Sequence, residues 1–242
     1  MSNLLIEIGN TAVKAAWSEG SVLGKTIRYQ GERIMEFISS LTEKQPPEVM
    51  AVVSVRKIED DELPVLERSC QNLLLLDPTH PGTLSPYGLP DYLTYDRACT
   101  LIAAKYLFKD KPCTVFDFGT TLTIDVIDAN GNYFGGNVSP GCLTRFKALN
   151  RYSKALPLLS IPADVEFPGT SGKSAIESGV ISGIMFEIEG YIRSYPENVV
   201  IFTGGDAIYF AKRMKNSIFA VCNLGLMGMA IITEEYAKKN IQ

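Results

Sequence analysis

Two short stretches combine a carboxylate, a glycine and a threonine in the same order: Glu7-Ile8-Gly9-Asn10-Thr11 and Asp117-Phe118-Gly119-Thr120-Thr121. Each follows an apolar run and precedes another, the pattern of a tight hairpin. Glycine in such a turn lets backbone N–H groups approach an anion closely, and the amide and hydroxyl side chains add donors around it. A carboxylate repels phosphate, so its place there makes sense if a cation lies between the two. Either stretch alone also reads as ordinary turn chemistry; two of them, each heading a similar pattern of elements, favour an anion site. A third piece, Thr203-Gly204-Gly205, ends an apolar strand, with Asp206 placed to cap a helix. Its glycines would let a flat ring lie against the backbone, although a routine strand-to-helix turn has the same composition.

The elements that position these pieces repeat. Short apolar runs at 3–8, 12–17 and 22–28 predict a three-stranded meander, followed by a helix over 32–44 with Ile34, Phe37, Ile38 and Leu41 on one face. A buried strand at 48–55, a helix at 57–71 and a strand at 72–76 come next. The stretch 77–95 holds too many prolines and glycines for regular structure and leads into a helix near Asp96. From 113 the order restarts with three strands, helices near 142–155 and 173–194, a strand at 198–205, a helix from Asp206 and a last helix near 224–239. Two successive copies of this order predict an α/β chain with two domains, 1–110 and 111–242.

Composition narrows the function classes. The chain has 242 residues, 46% hydrophobic and 21% charged, as in an ordinary globular protein. Its net charge of −4 and the lack of a basic block argue against nucleic acid as a partner. The five cysteines lack CxxC spacing and read as small, reduced, buried residues. The only histidine, His80, excludes a multi-histidine metal site and reads as a solvated loop residue. The opening MSNLLIEIGN lacks the features of a signal peptide, and no run reaches the roughly 18 apolar residues of a membrane span. No membrane partner and a cytoplasmic address are the expectations.

The succession of two acidic-Gly-Thr hairpins and a late Gly-Gly turn resembles the actin, sugar-kinase and acetate-kinase superfamily. That resemblance implies two ribonuclease-H-like domains with mixed sheets flanked by helices and a nucleotide held in the cleft between them. Further stretches narrow it. "YGLPDYLTYDR" at 87–97 places a Tyr, a Pro three residues on and Asp-Arg at nine and ten residues on; with "GGNVSPG", "ALP" at 155–157 and "AIESG" at 175–179, this resembles the type III pantothenate kinases over essentially the whole chain.

The resemblance implies ATP-dependent phosphorylation of pantothenate, the first step towards coenzyme A. It makes Asp96 the catalytic base and places Tyr87, Thr94, Tyr95, Asp96, Arg97 and Gly172 at the pantothenate. It assigns Glu7, Ile8, Gly9, Asn10, Thr11, Ala12, Val13, Lys14 and Thr120 to ATP, and Asp117 to a monovalent cation, K+ or NH4+, with Mg2+ accompanying ATP. It also implies a homodimer. Asp96, preceding "RACTLIAAKYL", also reads as a helix N-cap, a role it can combine with catalysis; the Tyr87 to Arg97 spacing favours the catalytic reading. Arg97 in a first helical turn opposes the helix dipole, which favours a ligand role over a solvated one. Lys14 reads either as a phosphate contact or as an exposed strand lysine, and Asp125 alternates with Thr121 and Thr123 towards the same face. The chain departs from the family pattern at Glu7, where Asp is usual, at Thr94, where Gly is usual, and at Gly172, where a partner-subunit threonine is usual and Thr170 or Ser171 lies within a small shift. Two other readings share these motifs: a kinase of another small alcohol, and an accessory protein that binds nucleotide without turnover.

Overall fold

Side chains alternate across a strand, and the first strand shows what this does. In the computed structural model, which describes residues 2–79 and 84–241, β1 (Ser2–Ile8) sends Leu4, Ile6 and Ile8 into one core and leaves Asn3, Leu5 and Glu7 on the opposite face. β2 (Val13–Glu19) and β3 (Val22–Tyr29) continue an antiparallel meander from it. β4 (Val49–Ser54) runs parallel to β1, and all six of its residues are buried, as expected for a strand covered on both faces. β5 (Asn72–Leu76) completes a sheet of order β3-β2-β1-β4-β5. α1 (Ile34–Thr42) and α2 (Leu63–Arg68) contribute Ile38 and Leu66 to the core beside Leu4, Ile6 and Ile8.

The second sheet has the same plan. β6 (Cys113–Phe118), β7 (Thr121–Ile127) and β8 (Tyr133–Pro140) form an antiparallel meander. β9 (Val199–Gly204) and the two-residue β10 (Phe219–Ala220) extend it in parallel, in the order β10-β9-β6-β7-β8. Its core is aromatic: Phe118 lies 4.8 Å from Phe202 and 5.1 Å from Phe210 between ring centroids. α4 (Cys142–Tyr152), α5 (Gly172–Ser194) and α6 (Ala207–Ala211) supply Phe146, Ile184, Ile188 and Phe210 to it. The expected repeat is therefore present as two five-stranded mixed sheets of matching order.

The division of the chain differs from the expected 1–110 and 111–242 at its end. Residues up to Leu107, together with those from Asn223 on, form one unit, and Phe108–Cys222 form the other. The last helix, α7 (Leu224–Asn240), packs on α3 (Tyr95–Leu107) and on the first sheet. Glycine permits this approach: a Cβ on Gly228 would lie 1.9 Å from the Cys99 carbonyl oxygen. β10 carries no sequence pattern and was not expected. The helix foreseen at 57–71 shrinks to Leu63–Arg68, because the Ile58 N–H donates to Asp77 Oδ2 at 3.2 Å and the Glu59 N–H to Glu62 Oε2 at 2.9 Å, which holds the preceding backbone in a turn. Cys99, Cys113 and Cys142 are buried as expected; Cys70 is half-buried, and Cys222 is exposed. His80 lies outside the described residues. Among the described residues no helix is long and apolar enough to cross a membrane.

Candidate active site

In the first unit the hairpin between β1 and β2 closes through Gly9, whose N–H donates to the Ala12 carbonyl at 3.0 Å. Ile8 and Val13 are buried and face each other across the ladder, so only their backbones are available at the turn; Asn10 and Thr11 are exposed at its tip. Glu7 pairs with Lys14 in register, and Lys14 Nζ meets Glu7 Oε1 at 2.8 Å. Lys14 is thus an ion-paired residue at the base of the hairpin. The other oxygen, Glu7 Oε2, lies beside Gly225 at the start of α7, 3.4 Å from where a Cβ would stand.

α3 brings a second carboxylate to the same neighbourhood. Burial first, then the negative charges of Asp96 and Glu7, push the Cys99 thiol well above its ordinary value, so both carboxylates lie near Cys99. Thr94, not Asp96, occupies the capping position, because its carbonyl accepts the Ala98 N–H at 2.9 Å; Asp96 is the second residue of the helix. Asp96 Oδ1 is buried and has no hydrogen-bond partner among the described residues. A buried carboxylate oxygen without a donor is costly unless something else engages it. Arg97 is half-buried one residue on, whereas Tyr95 is only 8% exposed and belongs to the packed interior. Tyr87 ends a 3-10 turn, and its hydroxyl donates to Glu235 on α7 at 2.6 Å. Glu235 carries no sequence signal, since the contact spans 148 residues.

The second hairpin is one residue tighter than the first. Phe118 pairs with Leu122, and the Gly119 N–H donates to the Thr121 carbonyl at 3.0 Å. Asp117 faces Thr123 on β7 and Thr203 on β9 across the ladder. Gly204 makes room for this carboxylate: it has φ +90°, and a Cβ there would stand 2.4 Å from Asp117 Oδ1. The start of α4 braces the turn, since the Gly141 N–H (3.0 Å) and the Thr144 hydroxyl (2.6 Å) both donate to the Thr120 carbonyl. Gly141 is required there, because a Cβ would meet the Gly119 carbonyl oxygen at 2.1 Å. Burial, and then the Asp206 charge, push the Cys142 thiol up to about 12, which places the Asp206 carboxylate near the start of α4. Asp206 precedes α6, but its side chain makes no capping bond. Sequence reading missed Gly141 and Thr144 as parts of this turn and took Thr203 as part of a separate piece, Thr203-Gly204-Gly205; "SPG" at 139–141 was the signal for Gly141.

Asp125 does not join this group. It is 1% exposed and accepts the Tyr133 hydroxyl at 2.9 Å. Gly172 is the exposed first residue of α5. Both neighbouring hydroxyls are engaged locally: Thr170 Oγ1 with Glu166 at 2.9 Å, and Ser171 in a capping box with Ser174. Among the described residues no group of three or more His, Cys, Asp or Glu is arranged to hold a metal.

The family model for type III pantothenate kinases matches residues 3–194. The chain belongs to this family. A type III pantothenate kinase from Flavobacterium johnsoniae is 34% identical over 235 residues, covering 94% of this chain and 95% of that one. Among solved structures, a Baf family protein from Campylobacter jejuni aligns with TM-score 0.64 at 23% identity over 97% of this chain and 99% of its own. A ROK hexokinase from Thermus thermophilus aligns with TM-score 0.54 at 12% identity, covering 99% and 100%. These likenesses give the fold, that of the actin-like ATPases and sugar kinases. Tyr87, Asp96 and Arg97 all lie in the first unit, where Glu7 spans from Lys14 to the edge of α7.

Proposed function

We propose that this chain transfers the γ-phosphoryl group of ATP to the primary hydroxyl of pantothenate, with Asp96 as general base. The observation that carries the reading is Asp96 Oδ1, buried in the first turn of α3 without a donor. Asp96 Oδ1 accepts no hydrogen bond among the described residues, and an attacking hydroxyl admitted to it supplies the missing donor. As that oxygen bonds to the γ-phosphorus, the bond from the γ-phosphorus to the bridging oxygen breaks, ADP leaves, and the proton passes to Asp96. Such transfer needs positioning and charge neutralisation more than covalent chemistry from the protein.

In this reading residues 7–14 and Thr120 bind ATP: Gly9, Asn10 and Thr11 offer donors, Ile8, Ala12 and Val13 act through their backbones, and Lys14 and Glu7 hold the base of the turn. Tyr87, Thr94 and Arg97 contact pantothenate, Tyr95 fixes the helix start from inside, and Gly172 belongs to a partner subunit's contribution. Asp117 takes a monovalent cation: the hard oxygens of its carboxylate and of the facing threonines suit K+, and the close approach that Gly204 allows seats that carboxylate against the strand backbone. With no carboxylate cluster among the described residues, Mg2+ fits as an ion held mainly by the nucleotide phosphates. Bound cations supply neutralisation of the phosphate charge.

A homodimer is supported by α5. Gly172, Gly179 and Gly190 leave open space where a Cβ would stand, and Phe186 is 56% exposed beside Phe167, 5.9 Å away between ring centroids. An exposed apolar surface over a smooth helix face suits close packing by a second copy. A cytoplasmic address accords with the substrate and the reduced cysteines.

Purified protein with ATP, Mg2+ and K+ should phosphorylate pantothenate in preference to a panel of other small alcohols. Asp96→Asn should lower kcat by about 10²–10⁴-fold while the thermal midpoint holds or rises. Turnover retained in Asp96→Asn, or ATP binding without any acceptor turnover, refutes the reading.

A further inference from the structure

The phenol of Tyr87 is half-buried, and its hydroxyl donates to Glu235 Oε2 at 2.6 Å. Burial, reinforced by the Glu235 carboxylate, holds the Tyr87 phenol above its ordinary value, so the proton stays on the oxygen. A phenol has one proton to give. With that proton directed at Glu235, the Tyr87 oxygen meets any other molecule as an acceptor.

Glu235 is held in place by the way α7 packs. Gly225, Gly228 and Glu235 are spaced three and seven residues apart, which puts them along one stripe of the helix. Gly225 lies beside Thr100 and Glu7, and Gly228 lies against the Cys99 backbone. One rigid element therefore touches the base of the first hairpin, the helix that carries Asp96 and Arg97, and Tyr87. Glu235 falls beyond residues 3–194, which the family model matches.

We propose that Glu235 is a positioning residue for the acceptor substrate: it fixes Tyr87 so that the phenol oxygen accepts a hydrogen bond from an amide N–H or hydroxyl of that substrate. This rests on the reading of Tyr87 as an acceptor-binding residue. Pantothenate offers an amide N–H, hydroxyls and a carboxylate. A phenol oriented as an acceptor selects the first two and leaves the carboxylate to a cation such as Arg97. The selection would extend to uncharged analogues that keep the amide and hydroxyls.

Steady-state kinetics on the full chain test this with Glu235→Ala, Glu235→Gln, Tyr87→Phe and the double variant Tyr87→Phe/Glu235→Ala. Glu235→Ala should raise KM for pantothenate about five- to tenfold, with kcat and KM for ATP unchanged. Glu235→Gln keeps an acceptor oxygen and should return KM to within about twofold of the parent. In the Tyr87→Phe background the Glu235→Ala change should have no further effect. Pantothenol, which has a hydroxyl in place of the carboxylate, should suffer the same penalty as pantothenate. The proposal is overturned by an unchanged KM in Glu235→Ala, an equal rise in KM for ATP, a penalty that persists without the Tyr87 hydroxyl, or one confined to the carboxylate-bearing substrate. Absence of turnover in the parent chain overturns the functional reading and this proposal with it; normal parent turnover with any of the other results overturns the proposal alone.

Discussion

Gly204→Ala tests the geometry around Asp117 directly. The residue ends β9 at φ +90°, and an alanine Cβ would stand 2.4 Å from Asp117 Oδ1, 2.5 Å from the Phe118 carbonyl oxygen and 2.6 Å from the Phe118 nitrogen. Two costs follow. A side chain in this conformation costs roughly 1–2 kcal/mol, and forcing a methyl group onto strand backbone that cannot swing away adds roughly 1–3 kcal/mol. The sum is about 2–5 kcal/mol of stability in the second unit. Gly135 separates the two costs, because it has φ +144° with nothing within 4 Å of a Cβ, so Gly135→Ala carries the conformational cost alone. The only tryptophan, Trp17, lies in the first unit and reports on the wrong part of the chain. Amide hydrogen exchange of β6 and β9 is the suitable assay. If Gly204→Ala opens these strands no more readily than Gly135→Ala on β8 of the same sheet, Gly204 is not what seats the Asp117 carboxylate, and the argument for a cation site there loses its support.

Three further outcomes are expected. Replacing K+ by Na+ should slow turnover of the parent chain, and Asp117→Asn should remove that difference; an equal rate in both salts refutes the cation assignment. Glu62 is held below its ordinary value chiefly by its hydrogen bonds to Arg56, at 2.6 and 2.7 Å. A lowered carboxylate value contributes stability that is complete above the unfolded value near 4.5 and is lost as pH falls through the folded value. Arg56→Ala should therefore destabilise by up to about 1 kcal/mol at pH 7 for this partly exposed pair, and denaturation midpoints should converge with the parent as pH drops below 4.5. Gly179→Arg, placed where a Cβ meets nothing within 4 Å, should leave the fold intact and convert a dimer to monomers in sedimentation velocity; an unchanged dimer would remove α5 from the interface.

What the sequence made legible was local. Meanders, buried parallel strands and glycine turns announce themselves within a dozen residues, so both sheets and both hairpins could be read with small errors at their ends. The hairpins look alike in sequence yet differ by one residue in length, because the position opposite the acidic residue is Lys14 in one and Thr123 in the other. The placement of Asp96 at the helix cap was off by two residues, a shift that periodicity cannot resolve and that only the Thr94 carbonyl bond reveals.

The attachment of α7 was not legible for a different reason. Its buried residues, among them Leu226, Met229, Ala230, Ile232 and Thr233, surround much of the helix, so the pattern says that it is covered without saying by what. The deciding feature is steric: Gly228 fits the Cys99 carbonyl, and no apolar count contains that fact. The consequence reaches the site. A helix assigned by order to the second unit instead lines the first, sets Gly225 beside Glu7 and carries Glu235 to Tyr87. Residues remote in sequence enter the first unit's chemistry only through this packing, which is why the most informative variant there, Glu235→Ala, is one that no motif points to.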